Sequence, residues 1–274
     1  MKIYIMTDLE GVAGVLDFDN WCSPESRYYE VAKEFLTMEV NSAVEGFFEG
    51  GIKEIVVADG HGPGGINPKL LDKRVKLLRG WQKWPLLLDK SYDFVAFVGQ
   101  HAKSRTEFAH IAHTQSFSYF EMRINDIAIG EFGQFSMCAS ELGVRTIFAS
   151  GDKALCKEAE ELIPGIVTIT VKEGTTPGKG DECPREAYRR RNNAAIHLHS
   201  EKARELIKKT AYKAIKKAIE YPDWGIIPLK APFKRVVIFR PDQDFGKRIS
   251  IEEHSSSVIE VMNMPYNPKN YDEI

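Results

Sequence analysis

Two periodicities alternate along this chain, and their alternation limits the fold more than any other feature. Short β-branched and aromatic runs give way to longer segments whose apolar residues recur every three to four positions, the rhythm of βαβ units wound around a mostly parallel sheet. The first run is Lys2 to Thr7. The spacing then predicts a helix from about Arg27 to Glu49, with Val31, Phe35, Met38, Val44 and Phe47 on its apolar face and Gly50 and Gly51 ending it. Ile52 to Ala58, Phe94 to Val98, Thr146 to Ala149 and Ile166 to Val171 read as further strands, with a helix over Lys153 to Leu162 before Pro164. Met122 to Ile129 reads as two short strands joined at the turn-prone pair Asn125-Asp126. The expected architecture is α/β: a mostly parallel central sheet flanked by helices, with a β-hairpin excursion and a smaller C-terminal α/β unit.

A polar stretch rich in glycine and proline, EGTTPGKGDECP, follows Val171 and reads as an exposed loop or crossing arm. It marks the expected seam between a catalytic region over 1–172 and a helix-rich region over 173–274. Beyond it the sequence predicts one long basic helix from about Arg185 to Glu220, a strand over Arg235 to Arg240 and a short helix near Val258. Lys208, Lys209, Lys213, Lys216 and Lys217, with Arg189 to Arg191, read as the solvated face of that helix rather than a phosphate-binding surface. Across 274 residues, 37 Lys and Arg oppose 39 Asp and Glu, so no global basic field speaks for nucleic acid or for an anionic membrane. Cys22, Cys138, Cys156 and Cys183 form no CxxC pair, which argues against a zinc ribbon and a disulfide scaffold. The opening MKIYIMTDLEG meets Asp8 too early for a secretory signal, and no stretch approaches the roughly 18 apolar residues of a spanning helix. A cytoplasmic location is the expectation.

Chemistry concentrates where apolar strands end, the edge at which open α/β sheets bind ligands. The first strand runs into Asp8-Leu9-Glu10-Gly11, the second into Asp59-Gly60-His61-Gly62 and the third into Gly99-Gln100-His101. The hairpin delivers Gly130-Glu131 just before an apolar helix over Phe132 to Leu142, in which Cys138 reads as core packing. Asp8, Glu10, His61, His101 and Glu131 are the carboxylates and imidazoles that suit zinc or a related divalent ion. Five such ligands with only two imidazoles serve two ions better than one, with a carboxylate bridging. Either histidine of the Ala109 to Ser116 segment, His110 or His113, suits a general base, nucleophile or transition-state donor, and His110 is read as structural. His197, His199 and His254 are also read as structural. Asp59 fits either a residue that orients a ligand histidine or a turn former. The glycines of DGHGPGG match no P-loop or GxGxxG fingerprint and suit a tight loop that lets His61 reach an ion.

These pieces resemble the D-aminopeptidase family of zinc peptidases, peptidase family M55. The matching segments are TDLEGVAG (Thr7 to Gly14), RYYEVAKEFLTMEVN (Arg27 to Asn41), ADGHG (Ala58 to Gly62), VGQHA (Val98 to Ala102), AHTQSF (Ala112 to Phe117), IND (Ile124 to Asp126), GEFG (Gly130 to Gly133) and SGDKALCKEAEELIPG (Ser150 to Gly165). The match is collinear to about residue 172. It implies that Asp8, Glu10, His61, His101 and Glu131 bind two Zn2+ ions with Asp8 bridging, and that His113 is the catalytic histidine. Ala112 and Thr114 stand where the family commonly has serines. The implied activity is a zinc-dependent aminopeptidase acting on short peptides or aminoacyl amides, with a D-amino acid at the N-terminus. The alternative from the site chemistry is a binuclear metallohydrolase of phosphoesters or other amides. The resemblance also implies a homo-oligomer, a decamer of stacked pentamers, for which Trp81, Trp84, Trp224 and the polar arm are candidate contacts.

Overall fold

The computed structural model describes residues 1–80 and 83–271, so Trp81 lies outside the described residues. A seven-stranded sheet forms the centre, in the order β3-β2-β1-β4-β7-β8-β9. Its strands are β1 (Lys2–Thr7), β2 (Glu54–Asp59), β3 (Lys76–Leu78), β4 (Phe94–Gln100), β7 (Arg145–Asp152), β8 (Val167–Gly174) and β9 (Ala195–His197). All pairings are parallel except β8 with β9. The chain builds outward from β1 through β2 to β3, then returns to β4 on the other flank of β1. The switch point where this winding reverses lies between β1 and β4, the place where such sheets open a crevice.

The interior strands are nearly continuous apolar runs because helices cover both faces. On one face lie α2 (Tyr29–Gly50) and α6 (Ser200–Glu220), whose core includes Leu36, Val40, Phe47, Ile207 and Ile215. The buried stripe of α2 is Ala32, Leu36, Val40, Ala43, Val44 and Phe47, whereas Val31 and Met38 of the expected stripe face solvent. Close helix packing decides between the two stripes. A Cβ on Gly46 would stand 2.2 Å from the Lys208 carbonyl oxygen, and one on Gly50 would stand 2.7 Å from Ile215 Cβ, so α6 sits on the face where α2 is smallest. The other face carries α3 (Glu131–Glu141) and α4 (Lys153–Leu162), with Phe132, Phe135 and Leu155 in its core.

The hairpin β5 (Tyr119–Ile124) and β6 (Ile127–Ala128) does not stand alone. It joins β10 (Phe233–Phe239), β11 (Arg248–His254) and β12 (Lys269–Asn270) in an antiparallel sheet of order β12-β11-β10-β5-β6. The inward residues Met122, Ile124, Phe233 and Val237 meet α7 (Val258–Asn263) and the α3 side of the core. The hairpin and the C-terminal unit are therefore one layer.

The expected helix over 185–220 is instead α5 (Arg185–Arg191), the short strand β9 and α6. Long-range bonds break it: Ile111 N donates to Asn192 O at 2.8 Å and Thr175 N to Ala194 O at 2.9 Å. The polar arm is stitched down rather than loose. Phe108 N donates to Thr176 O at 2.9 Å, Arg105 grips Asp181 at 2.7 Å, and Arg240 Nη1 donates to Gly180 O at 2.8 Å. A four-residue helix, α1 (Phe18–Trp21), caps the loop after β1. No helix among the described residues is long and apolar enough to cross a membrane.

Candidate metal centre

Three neighbouring strand ends and one helix start converge on the floor of a cavity of about 690 Å³. β1 delivers Asp8 and Glu10, the loop after β2 delivers His61, β4 runs into His101, and α3 opens with Glu131. Asp8, Glu10, His61, His101 and His113 are all buried, and Glu131 is partly so. Their ligand atoms fall into two sets, Asp8, Glu10 and His61 on one side and His101, His113 and Glu131 on the other, each within 4.8 Å. Asp8 faces both sets: Oδ1 stands 3.2 Å from His61 Nδ1, and Oδ2 stands 3.2 Å from His101 Nε2. Glu10 Oε2 is 3.1 Å from His61 Nδ1, and Glu131 Oε2 is 2.7 Å from His101 Nε2.

Each of the three imidazoles spends one ring nitrogen on a backbone carbonyl. His61 Nε2 lies 2.7 Å from Cys22 O, His101 Nδ1 lies 2.9 Å from Ala102 O, and His113 Nδ1 lies 2.9 Å from Ile111 O. A carbonyl only accepts, so these nitrogens carry protons and donate. The remaining nitrogens, His61 Nδ1, His101 Nε2 and His113 Nε2, are the ones available to a metal ion or a proton. This is the outer support that orients metal-ligating histidines. His101 Nε2 is buried close to two carboxylates yet makes no hydrogen bond among the described residues, the arrangement expected of lone pairs gathered around a shared cation. The residues present fit divalent metal.

The electrostatics agree. Burial alone pushes His61 and His101 down, but Glu10 with Asp8, and Glu131 with Asp8, hold the two imidazoles well above their usual value. Burial opposes ionisation of Asp8, and His101 and His61 overcome it and hold its carboxyl well below the usual range. A set of carboxylates packed this tightly demands positive charge. His113 differs: burial and the neighbouring His101 push it below its usual value, whereas at His61 and His101 the carboxylates favour positive charge on the ring nitrogen that faces them, the position a metal cation would take.

His113 stacks on His101 at 3.9 Å and packs against Phe117 at 4.6 Å and edge-on to Phe18 at 6.3 Å. Two positions to either side of it in the loop, Ile111 and Gln115 hold positive φ, 52° and 60°. For β-branched Ile111 this is a strained conformation of the kind that collects at functional sites. It aims the Ile111 carbonyl at His113 Nδ1. Gln115 N donates to Glu131 Oε1 at 2.5 Å, which ties the loop to the carboxylate of α3.

Other expected residues have different work. His110 is buried, with Nε2 3.0 Å from Leu16 O, and burial followed by Lys172 pushes it down to about 2. His197 accepts from Gly14 N, His199 from Glu201 N and His254 from Ser257 N. Asp59 accepts from Gly65 N at 2.7 Å and so shapes the His61 loop as a turn former. Cys138 is buried in α3. Trp84 lines the cavity and packs on Phe135 at 6.3 Å, and Trp224 packs on the core. Sequence reasoning passes over Gln100, whose Nε2 donates to Asp8 Oδ2 at 2.9 Å and Glu131 Oε2 at 3.2 Å. Its signal is its place at the end of β4. It also misses the cavity walls: Phe18, Phe117, Arg79, Lys83, Arg185 and Arg189.

Fold and site together define a doubly wound α/β protein with a buried, two-part carboxylate and imidazole centre at its switch point, the donor class of metal-dependent hydrolases. The family model described as D-aminopeptidase, Peptidase_M55, matches residues 1–244, and the chain belongs to that family. A D-aminopeptidase from Bacillus subtilis (strain 168) is 31% identical over 179 residues, covering 63% of this chain and 64% of that protein, so the chain spans just under two thirds of the relative it matches. A solved structure, the Zn-dependent D-aminopeptidase DppA from Bacillus subtilis, described as a self-compartmentalizing protease, aligns at a TM-score of 0.80 and 22% identity over 96% of this chain and 94% of that one. The likeness at that identity is one of fold.

Proposed function

We propose that the chain is a zinc-dependent aminopeptidase for short peptides with a D-residue at the N-terminus. The observation that carries this is the convergence of Asp8, Glu10, His61, His101 and Glu131 on one buried floor, with every imidazole held by a backbone carbonyl. Family membership supplies the substrate class. Glu10 and His61 would hold one zinc ion, His101 and Glu131 a second, and Asp8 would bridge them. When bound, such ions supply Lewis acidity toward the scissile carbonyl and toward water. His113 moves the proton: Nδ1–H is fixed to the Ile111 carbonyl, so Nε2 accepts a proton from the attacking water and returns it to the leaving amine. Stacking on His101 and the walls of Phe18 and Phe117 keep the ring in place and exclude bulk water. Gln100 holds Asp8 and Glu131 in register.

The region over 1–172 carries every one of these residues, and 173–274 supplies walls and packing. The self-compartmentalizing character of the structural neighbour supports a homo-oligomer, for which a decamer of stacked pentamers is the proposed state, and a cytoplasmic location completes the reading. The deciding experiment measures hydrolysis of paired D- and L-aminoacyl substrates and of phosphoesters, with elemental analysis of the same sample. D-selective, zinc-dependent peptide hydrolysis with about two ions per chain is expected. Phosphoester turnover without peptide turnover would replace this reading with the metallohydrolase alternative.

A further inference from the structure

The cavity is polar in a directed way: carboxylates form its floor, and the α5 wall presents two cations, Arg185 and Arg189. They stand four residues apart and therefore share one face of the helix. We propose that Arg185 and Arg189 bind the free C-terminal carboxylate of a short peptide and thereby set substrate length, an inference that rests on the aminopeptidase reading.

The wall is built rather than incidental. Tyr188, between the two arginines, is buried, and its hydroxyl accepts from Arg105 N at 2.8 Å while Arg240 lies 3.5 Å over its ring. The Arg189 guanidinium lies 5.0 Å over the Phe18 ring and is held at 2.6 Å by Asp19, yet its Nε is buried with no hydrogen bond among the described residues. The guanidinium as a whole lines the cavity, and it carries five N–H donors, more than the contact to Asp19 uses, in a fork that matches a carboxylate. Arg185 Nε lies 3.8 Å from Glu186, beyond hydrogen-bond reach. On the opposite wall, Arg79 is committed to the carbonyls of Asp59, His61 and Gly62.

Distance selects the length. The Phe18 ring stands 6.3 Å from the His113 ring and 5.0 Å from Arg189 Cζ, which places the guanidinium within about 11 Å of the imidazole. An extended chain advances roughly 3.3–3.6 Å per residue. That separation is an upper bound, and once contact distances of roughly 4 Å at each end are allowed for it leaves about one residue beyond the scissile carbonyl, so a dipeptide fits with its carboxylate at Arg189 and longer chains must carry theirs past it.

The test compares D-alanylglycine with D-alanylglycinamide on the zinc-loaded enzyme and its variants R185Q, R189Q, R185Q/R189Q, R189K and K83Q. The wild type should favour the acid. The glutamine variants should lose roughly ten- to a hundredfold in kcat/KM on the acid, mostly through KM, with the amide unchanged and R189K partly restored. Equal losses on both substrates, or a preference abolished only by K83Q, would overturn the assignment. If the wild type cleaved neither substrate, the aminopeptidase reading would fail by itself. Calorimetric binding of the same two ligands would then decide: tighter binding of the acid only with both arginines intact sustains the proposal, and equal binding ends it.

Discussion

Arg79 makes the clearest quantitative link between packing and the metal centre. Its Nη1 donates to Asp59 O at 2.9 Å and His61 O at 2.8 Å, and its Nη2 donates to Gly62 O at 2.6 Å, so one guanidinium pins the loop that delivers His61. A buried hydrogen bond to a charged group contributes about 1.5–3 kcal/mol. The Arg79 side chain is 40% exposed, so water replaces much of that, leaving about 1–2 kcal/mol for the three bonds together. Arg79→Ala should therefore shift the balance between held and released loop by a factor of roughly 5–30. Because His61 sits in only one of the two candidate ligand sets, the loss should fall on one of the two proposed zinc ions. Titrating the metal-free protein with zinc against a fluorescent chelator should show one of two binding steps weakened about tenfold, with the other within about twofold of wild type. Arg79→Lys should lie between them, because an ammonium is a compact donor without the guanidinium fork that reaches all three carbonyls. Unchanged isotherms, or equal weakening of both steps, would refute the claim that the clamp acts through His61.

Three further outcomes are expected. His113→Ala should keep its zinc by elemental analysis while turnover collapses; loss of one ion with the activity would instead make His113 a ligand. Glu252→Gln removes the charge partner of fully buried Arg235, bound at 3.0 Å, and should cost about 3–5 kcal/mol, seen as a thermal midpoint roughly 6–15 °C lower. A midpoint within about 2 °C of wild type would mean that the pair does not hold the second sheet. Glu39, buried on α2 and accepting from Ala13 N at 2.9 Å, has its carboxyl pushed up to about 7 by burial. Its folded value exceeds its unfolded one, so the stability it contributes below about pH 4.5 is lost as pH rises through about 7, on the order of 3 kcal/mol. Glu39→Gln should melt higher than wild type at pH 8 and not at pH 4, and parallel melting profiles would contradict this.

The donor residues are legible because buried parallel strands read as apolar runs, against which Asp8, His61 and His101 stand out where the runs stop. Glu131 is legible as a carboxylate at a helix start, where the helix dipole favours it. The walls are not. Phe18 and Phe117 are ordinary aromatics until the fold sets them beside His113. Arg185 and Arg189 look like part of one solvated helix because nothing local stops Asn193-Ala194-Ala195 from continuing it; the break comes from distant partners at residues 111 and 175. The hairpin over 122–129 shows in its turn residues, but its neighbour β10 lies more than a hundred residues on, and local periodicity carries no register for such a pairing. On α2, two apolar stripes compete, and only the approach of α6 to Gly46 and Gly50 selects the buried one.

The asymmetry of the ligand set follows from strand order. β1 lies between β2 and β4, so a carboxylate at its end is the one donor placed to face both flanks, and Asp8 does so with one oxygen to each side. Glu10 and Glu131 each serve a single flank. Such convergence needs the ends of β1 and β4 to approach more closely than side chains allow. A Cβ on Gly11 would fall 2.1 Å from the Gln100 carbonyl oxygen, and one on Gly99, at φ +76°, would fall 2.1 Å from that of Asp8. These two glycines thus let the strand ends close far enough for Asp8 to face both sets. A side chain at either position would part the two strand ends and separate Asp8 from Gln100 and His101, even with every donor still present in the sequence.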